Sequence, residues 1–568
     1  MTTVEEGVAG TSGGRAPRST PQPGTVPWPA ECAARYRAAG HWADRPLGHW
    51  ARRWSQAYGN RTALVDGEIR LTYRELAAHA DALAVALRER GLHRGDRILV
   101  QLPNSWEFVA LMLACFRSGV VPVLVLTAHR EHELDYLLRH TEAKLIVVPD
   151  RWRDFDHQDL AARLAAAVPW ECGVLVKGTK ADAAHLDLGR LLACGPGAPE
   201  RIRELDADPP HPDDIALFLL SGGTTGLPKL IARTHNDYEY NVRRSAEVSG
   251  FGSTTVFLAA LPVGHNAVLG CPGILGTLSG GGTVVLVPSP QPRTALAAVE
   301  AERVTDVAVV PAVARQWVAE AAGGGYDLGS LRLVTIGGSV VDPELARQVR
   351  EGLGGQLQQL YGMAEGLLSC TRPDDPDDLV LRTQGRPVSP DDELLVVDEQ
   401  DRPVPLGEVG ELLTRGPYTP RGYYRAAEHN TRAFTRDGWF RTGDLVRLHP
   451  GGNLTVEGRR KELINRGGEK VSAEEVENLT RLLVGVDRVV AVPVPDEQFG
   501  ERVCLVVVPA PGAQAPSLSD VRQRFVRHGV AHYKLPEQLE ILTDLPLTPV
   551  GKVDKKAIRE RLATEEKS

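Results

Sequence analysis

Between residues 221 and 229 the chain reads Ser221-Gly222-Gly223-Thr224-Thr225-Gly226-Leu227-Pro228-Lys229. Small residues let backbone N–H groups approach phosphate oxygens, the hydroxyls of Ser221, Thr224 and Thr225 add donors, and Lys229 neutralises charge. The loop follows the apolar run IALFLL, so a strand is expected to feed it. A polyphosphate suits this chemistry. No GK[ST] closes the loop, which disfavours a P-loop kinase or ATPase. Glycine-rich stretches are often only turns, so the weight rests on what accompanies this one.

Four further motifs follow in order: Tyr361-Gly362-Met363-Ala364-Glu365, Arg441-Thr442-Gly443-Asp444, Gly458-Arg459-Arg460-Lys461-Glu462 and Gly551-Lys552. Together with the loop they resemble the signature of the adenylate-forming superfamily of acyl-CoA synthetases, luciferases and peptide-synthetase adenylation domains. The resemblance implies an enzyme that uses ATP and Mg2+ to convert a carboxylic acid into its acyl-AMP. By the same resemblance, Glu365 helps hold magnesium, a hard cation that seeks carboxylate oxygen. Tyr361 and Gly338, the latter in the run LRLVTIGG, belong to the nucleotide site. Asp444 accepts from the ribose hydroxyls, and Arg459 reaches ribose and phosphate. Lys461 is the hinge about which a small domain turns between half-reactions, and Lys552 bridges the acid and the α-phosphate. Many relatives carry Thr before the motif glutamate. Ala364 here matches the aryl-acid branch.

The acyl pocket is expected at Pro262-Val263-Gly264-His265-Asn266. This segment, with LIARTHNDYEY and NRGGEKVSAEEVE, resembles the free-standing 2,3-dihydroxybenzoate and salicylate adenylating enzymes. Asn266 supplies a neutral amide that can bond a carboxylate or an ortho heteroatom at a smaller desolvation cost than a charge. Cys271 stands where dihydroxybenzoate enzymes have Ser, and Leu368 replaces a smaller Val, so a 3-hydroxyl would be poorly buried. Ala267 stands where both groups usually have Tyr. Space for a larger acid follows: a salicylate-like acid, or a heteroaromatic one such as 3-hydroxypicolinate, 3-hydroxyquinaldate or quinoxaline-2-carboxylate. The expected acceptor is the phosphopantetheine arm of a separate aryl carrier protein, because little chain follows Lys552, in siderophore or nonribosomal peptide synthesis. The alternatives are coenzyme A as acceptor, making an aryl-CoA ligase, or an inactive nucleotide-binding homologue.

These groups need a scaffold. From Leu71 the chain alternates amphipathic helices (TYRELAAHADALAVALRERG) with short apolar strands (DRILVQLP, KLIVVPD, GTVVLVPS, VTDVAVVP, LRLVTIGG), which predicts parallel sheets covered by helices. After Gly407 short strands and turns predict a small β-rich subdomain. Ser472 and Glu475 have capping-box spacing. The expected organisation is a disordered tail over 1–25, a large α/β domain over 26–460 with its β-rich subdomain, and a small mobile α+β domain over 461–568.

A chain of 568 residues with 42% hydrophobic and 24% charged residues has globular composition. Its net charge of −8 and lack of a basic run argue against binding nucleic acid through phosphates. The apolar stretch from Phe108 to Leu126 is broken by Arg117, Gly119 and Pro122, too soon for the roughly 20 residues of a membrane span; it reads as a helix turning into a buried strand. No signal peptide is expected, since MTTVEEGVAG carries two acids and no apolar core follows, and the seven cysteines are scattered without metal-ligand spacing. A cytoplasmic protein with reduced thiols is expected.

Overall fold

A computed structural model describes residues 19, 22–193, 199–221, 227–459, 463–546 and 553–565. Two large sheets dominate. In the nine-stranded one, Thr62–Asp66, Thr283–Leu286, Val256–Ala259, Asp306–Val309, Leu333–Gly337 and Gln356–Gly362 run parallel. The seven-stranded one is parallel through Leu186–Asp187, Gly173–Lys177, Leu145–Pro149, Arg97–Val100, Val121–Leu124 and Ile215–Leu220, and Leu230–Thr234 closes it antiparallel.

The expected β/α alternation produces this arrangement because strands buried on both faces must be apolar throughout. Helices Tyr73–Glu89 and Trp106–Ser118 lie in the core that both sheets share, where Leu64 and Val284 of one sheet and Ile98 and Leu217 of the other meet Leu83 and Phe108. Every residue from Phe108 to Ser118 is buried, as in a helix enclosed on all sides. Arg117 breaks the apolar run without cost to packing: its Nε donates to Asp81 at 3.0 Å. Fully burying each large aliphatic side chain of this layer contributes about 1.5–3 kcal/mol. The expected transition follows, with strand Val121–Leu124 after a left-handed Gly119.

The β-rich subdomain is a four-stranded antiparallel sheet of Glu393–Val397, Val409–Arg415, Phe440–Leu448 and Leu454–Arg459. A separate five-stranded sheet, beginning at Leu463–Arg466 and centred on Gly500–Pro509 with Val486–Asp496 along its edge, forms the small C-terminal domain. Ser472 caps helix Ala473–Arg481 by accepting from the Glu475 N–H. The Glu475 carboxylate accepts from Lys534. Lys461 lies outside the described residues, as do residues 1–18 of the expected tail; Gln22 donates to the Gly95 carbonyl and the Arg425 N–H to that of Gly24. Among the described residues no helix is long and apolar enough to cross a membrane.

Candidate active site

The glycine-rich loop leaves strand Ile215–Leu220 at Ser221 and returns at Lys229 into strand Leu230–Thr234. Its neck is pinned twice. The Ser221 N–H donates to the Lys229 carbonyl at 2.9 Å, and the Lys229 N–H donates to Ser221 Oγ at 3.2 Å. Gly222, Gly223, Thr224, Thr225 and Gly226 lie outside the described residues, as does Lys552.

Lys229 Nζ stands 6.0 Å from the centre of the Tyr423 ring, and Tyr423 Oη donates to Glu365 Oε1 at 2.7 Å. A bridge between Ile231 and Tyr423 holds the ring beside Lys229. Glu365 sits in a turn closed by the Gly366 N–H on the Met363 carbonyl. Gly366 has φ +140°, and a Cβ there would lie 2.8 Å from Thr419 Cα, so this turn requires glycine. The cation expected to meet phosphate and the carboxylate expected to meet metal thus flank one tyrosine. Among the described residues no cluster of three or more His, Cys, Asp or Glu could hold a metal ion. A cation beside Glu365 would need substrate oxygens, and magnesium beside a triphosphate has them. The residues fit.

Tyr361, near the end of strand Gln356–Gly362, donates to Asp444 Oδ2 at 2.7 Å. Asp444 is buried and pairs in register with Arg459 across the β-rich sheet. Motifs far apart in the chain therefore meet at one edge.

The segment expected to form the acid pocket packs on helix His235–Val248. Thr234 and Asp237 form a full capping box at its start, which fixes the helix and turns Tyr238 and Asn241, three residues apart, onto one face. Tyr238 Oη donates to Asn266 Oδ1 at 2.8 Å. Asn266 Nδ2 donates to Cys271 Sγ at 3.1 Å, and Asn241 Nδ2 to the Gly270 carbonyl at 2.6 Å. A Cβ on Gly270 would meet Tyr238 Oη at 2.6 Å. Burial pushes the Cys271 thiol up to about 11, so it remains a thiol at neutral pH. Cys271 and Leu368 share an apolar cluster with Tyr240, Tyr418 and the N-terminal Tyr36 and Trp42. Trp28 packs edge-on against Trp42, whose indole N–H donates to the Pro417 carbonyl at 2.9 Å. Ala267, partly exposed, is the second residue of helix Asn266–Gly270.

Residues the sequence reading did not assign pack against the expected ones. Tyr238 and Asn241 are two. Arg233, fully buried, donates to Asp237 Oδ1 at 2.6 Å and to the Ala364 carbonyl at 3.2 Å, tying the Glu365 turn to the pocket helix. Glu469 comes from the C-terminal domain. Its Oε1 lies 3.2 Å from His265 Nε2. Burial disfavours charge on His265, but Glu469 outweighs it and holds the imidazole above its usual value. The same strand, Glu469–Ser472, places Lys470 Nζ 2.5 Å from the Gly338 carbonyl. Gly338 has φ +87°, a left-handed residue ending the strand so that its carbonyl faces this partner.

The sequence profile of the AMP-binding enzyme family matches residues 51–424, and that of the AMP-binding enzyme C-terminal domain matches 475–552. A Streptomyces sp. protein named salicylyl-CoA synthase / salicylate adenylyltransferase is 58% identical over 94% of this chain and 97% of its own. The 2-hydroxy-7-methoxy-5-methyl-1-naphthoate--CoA ligase of Streptomyces carzinostaticus is 52% identical over 94% and 96%. The apo structure of Mycobacterium smegmatis MbtA superposes with a TM-score of 0.72 at 42% identity, covering 95% of this chain and 99% of that one. Matched along both its large and its small domain, the chain belongs to the AMP-binding enzymes, in the branch of aryl-acid-adenylating ligases.

Proposed function

We propose that this ligase activates a hydroxylated aromatic acid, with space for a second ring, as its acyl-AMP and passes the acyl group to a phosphopantetheine thiol. The observation that carries the choice of acid is the chain Tyr238–Asn266–Cys271. Tyr238 occupies the amide oxygen of Asn266 and Cys271 takes one N–H, which leaves the second amide N–H as the donor to a carboxylate or ortho heteroatom. A neutral wall of this kind suits an acid without an amine.

In the first half-reaction the acid's carboxylate oxygen attacks the α-phosphorus of ATP. The new C–O–P link forms as the α–β bond breaks, and pyrophosphate leaves with the electron pair. No protein nucleophile is needed. Lys229 and Lys552 neutralise phosphate charge, Asp444 and Tyr361 hold the ribose side with Arg459, and Gly338 borders the nucleotide. Glu365 would hold magnesium, which supplies further charge neutralisation when bound. In the second half-reaction the thiol sulfur attacks the acyl carbon and AMP leaves.

A relative at 58% identity is named for salicylate and one at 52% for a substituted naphthoate; Ala267, lacking a ring on the pocket wall, favours the larger acid. Both names include coenzyme A, which favours coenzyme A over a carrier protein as acceptor. ATP–pyrophosphate exchange with salicylate, 2-hydroxy-1-naphthoate, 3-hydroxypicolinate, 3-hydroxyquinaldate and quinoxaline-2-carboxylate tests the acid. Strong preference for salicylate over every bicyclic acid would remove the larger-pocket reading. Mass spectrometry of products formed with coenzyme A or a holo carrier protein identifies the acceptor.

A further inference from the structure

The small domain meets the large one through a buried, charged contact outside the reacting centre. Lys534 Nζ lies 2.9 Å from Glu133 Oε1 and 2.9 Å from Glu475 Oε1, and the three side chains are 6%, 0% and 6% exposed. Glu475 and Lys534 belong to the small domain. Glu133 belongs to helix Glu131–Thr141 of the large domain, where its other oxygen accepts from the Arg130 N–H at 3.0 Å. Around this triad the Ala531 N–H donates to Glu133 Oε1 at 3.3 Å, the His132 N–H to the Gly529 carbonyl at 3.1 Å, and Tyr533 Oη lies 3.4 Å from His129 Nε2. Gly529 has φ +62°, and a Cβ there would lie 2.8 Å from Glu131 Cβ. The domains approach too closely at that point for a side chain.

A buried lysine needs one carboxylate, and Glu475 already provides it within the small domain. The second carboxylate overcompensates the charge. Its effect is therefore on orientation: only one placement of the small domain brings Lys534 to Glu133. A buried ion pair suits a contact that must later open, because both partners regain water when separated, so it directs docking without locking it.

The same docking sets Glu469 against His265 and Lys470 against Gly338. Leu545 and Val553, which flank the segment of Lys552, pack with Val490, Val506 and Ile558. Tyr533 and Leu535, beside Lys534, pack with the alternate strand positions Val489, Ala491 and Leu505, and alternate positions face opposite sides of a sheet. The docked placement thus presents one face of the small domain to the acid pocket and keeps the flanks of Lys552 on the other.

We infer that Glu133 is a positioning residue for the acyl-transfer half-reaction: it captures Lys534 and holds the small domain with Glu469 against His265, and it takes no part in adenylation. This rests on the two-step reading above, in which Lys552 serves the first step and the small domain turns for the second. Burial opposes charge on Glu133, but the neighbouring Lys534 ammonium keeps its carboxyl below the usual range, so the pair is ionised at neutral pH.

The test is E133Q in the full chain, with the two half-reactions measured separately. ATP–pyrophosphate exchange should stay within about twofold of the unsubstituted enzyme with KM for acid and ATP unmoved, while thioester formation from preformed acyl-AMP slows at least about tenfold, as expected when one partner of a buried ion pair is removed. E133D, which keeps the charge and shortens its reach, should show the same split at smaller size and serves if E133Q folds poorly. Equal loss in both half-reactions, or no loss in either, overturns the assignment. Absence of exchange by the unsubstituted protein with every acid overturns the two-step reading, and the role of Glu133 with it.

Discussion

His265 and Glu469, 204 positions apart in the chain, lie 3.2 Å from one another across the boundary between the proposed acid pocket and the small domain. The contact gives the pocket information about where the small domain is. His265 is held above its usual value near 6.5, so its contribution to docking is fully present below that value and lost as pH rises through the raised one. The ratio of thioester-forming rates, unsubstituted over E469Q, should be greatest near pH 6 and decline toward pH 9. At a partly exposed pair the largest ratio is no more than about fivefold. Taking the ratio cancels ionisation of the attacking thiol, and a flat profile would rule the coupling out.

Lys552→Ala should reduce pyrophosphate exchange by about 10²-fold or more, the usual scale for removing a charge placed against a transition state. Loading of preformed acyl-AMP should suffer far less. Equal damage to both steps counts against a role confined to adenylation.

Asp444→Asn keeps an acceptor for Tyr361 but removes the carboxylate charge. KM for ATP should rise about tenfold, as for a lost hydrogen bond to a charged group, with KM for the acid unchanged. Steady-state kinetics with each substrate varied in turn checks this, and a matching rise in the acid's KM would place Asp444 elsewhere in the mechanism.

Ala267→Tyr should restore a ring to the pocket wall and move kcat/KM from bicyclic acids toward salicylate by at least about tenfold, because steric exclusion discriminates more strongly than one added methylene. An exchange panel showing unchanged preference would mean that other side chains set the pocket's size.

Burial pushes the Asp392 carboxyl up to about 8 despite donation from Tyr418 Oη at 2.5 Å. The fold therefore favours the proton. That stability is fully present below the unfolded value of 3.8 and is lost as pH rises through about 8. Asp392→Asn should leave Tm unchanged near pH 3.5 and raise it progressively, reaching about 5 °C at pH 9. Melting curves across that range decide the matter; a constant offset would not fit.

The scaffold was legible because burial on two faces imposes continuous apolar runs, as in Leu145–Pro149 and Leu333–Gly337, and because Gly91 and Gly119 punctuate helices where the chain must turn. That Tyr361 and Asp444 serve one nucleotide site was implied only through family resemblance, and their hydrogen bond was not foreseen, since nothing local in either segment announces a partner. Tyr238 and Asn241 left a faint signal: polar groups three apart on a helix that also carries buried residues throughout His235–Val242. Glu133, Lys534 and Glu469 left none. Their significance arises where two separately folded units touch, and neither charge pattern nor periodicity within one unit encodes the docking of the other.

The aromatic cluster behind Cys271 and Leu368 also bears on how the protein can be cut. The AMP-binding profile begins at residue 51, yet Tyr36 and Trp42 form part of the wall behind the proposed acid pocket, and Trp28 braces them. Excising the chain at the family boundary would remove that wall while sparing every motif residue. The smallest unit that can be transplanted into a fusion with its selectivity intact begins upstream of Trp28.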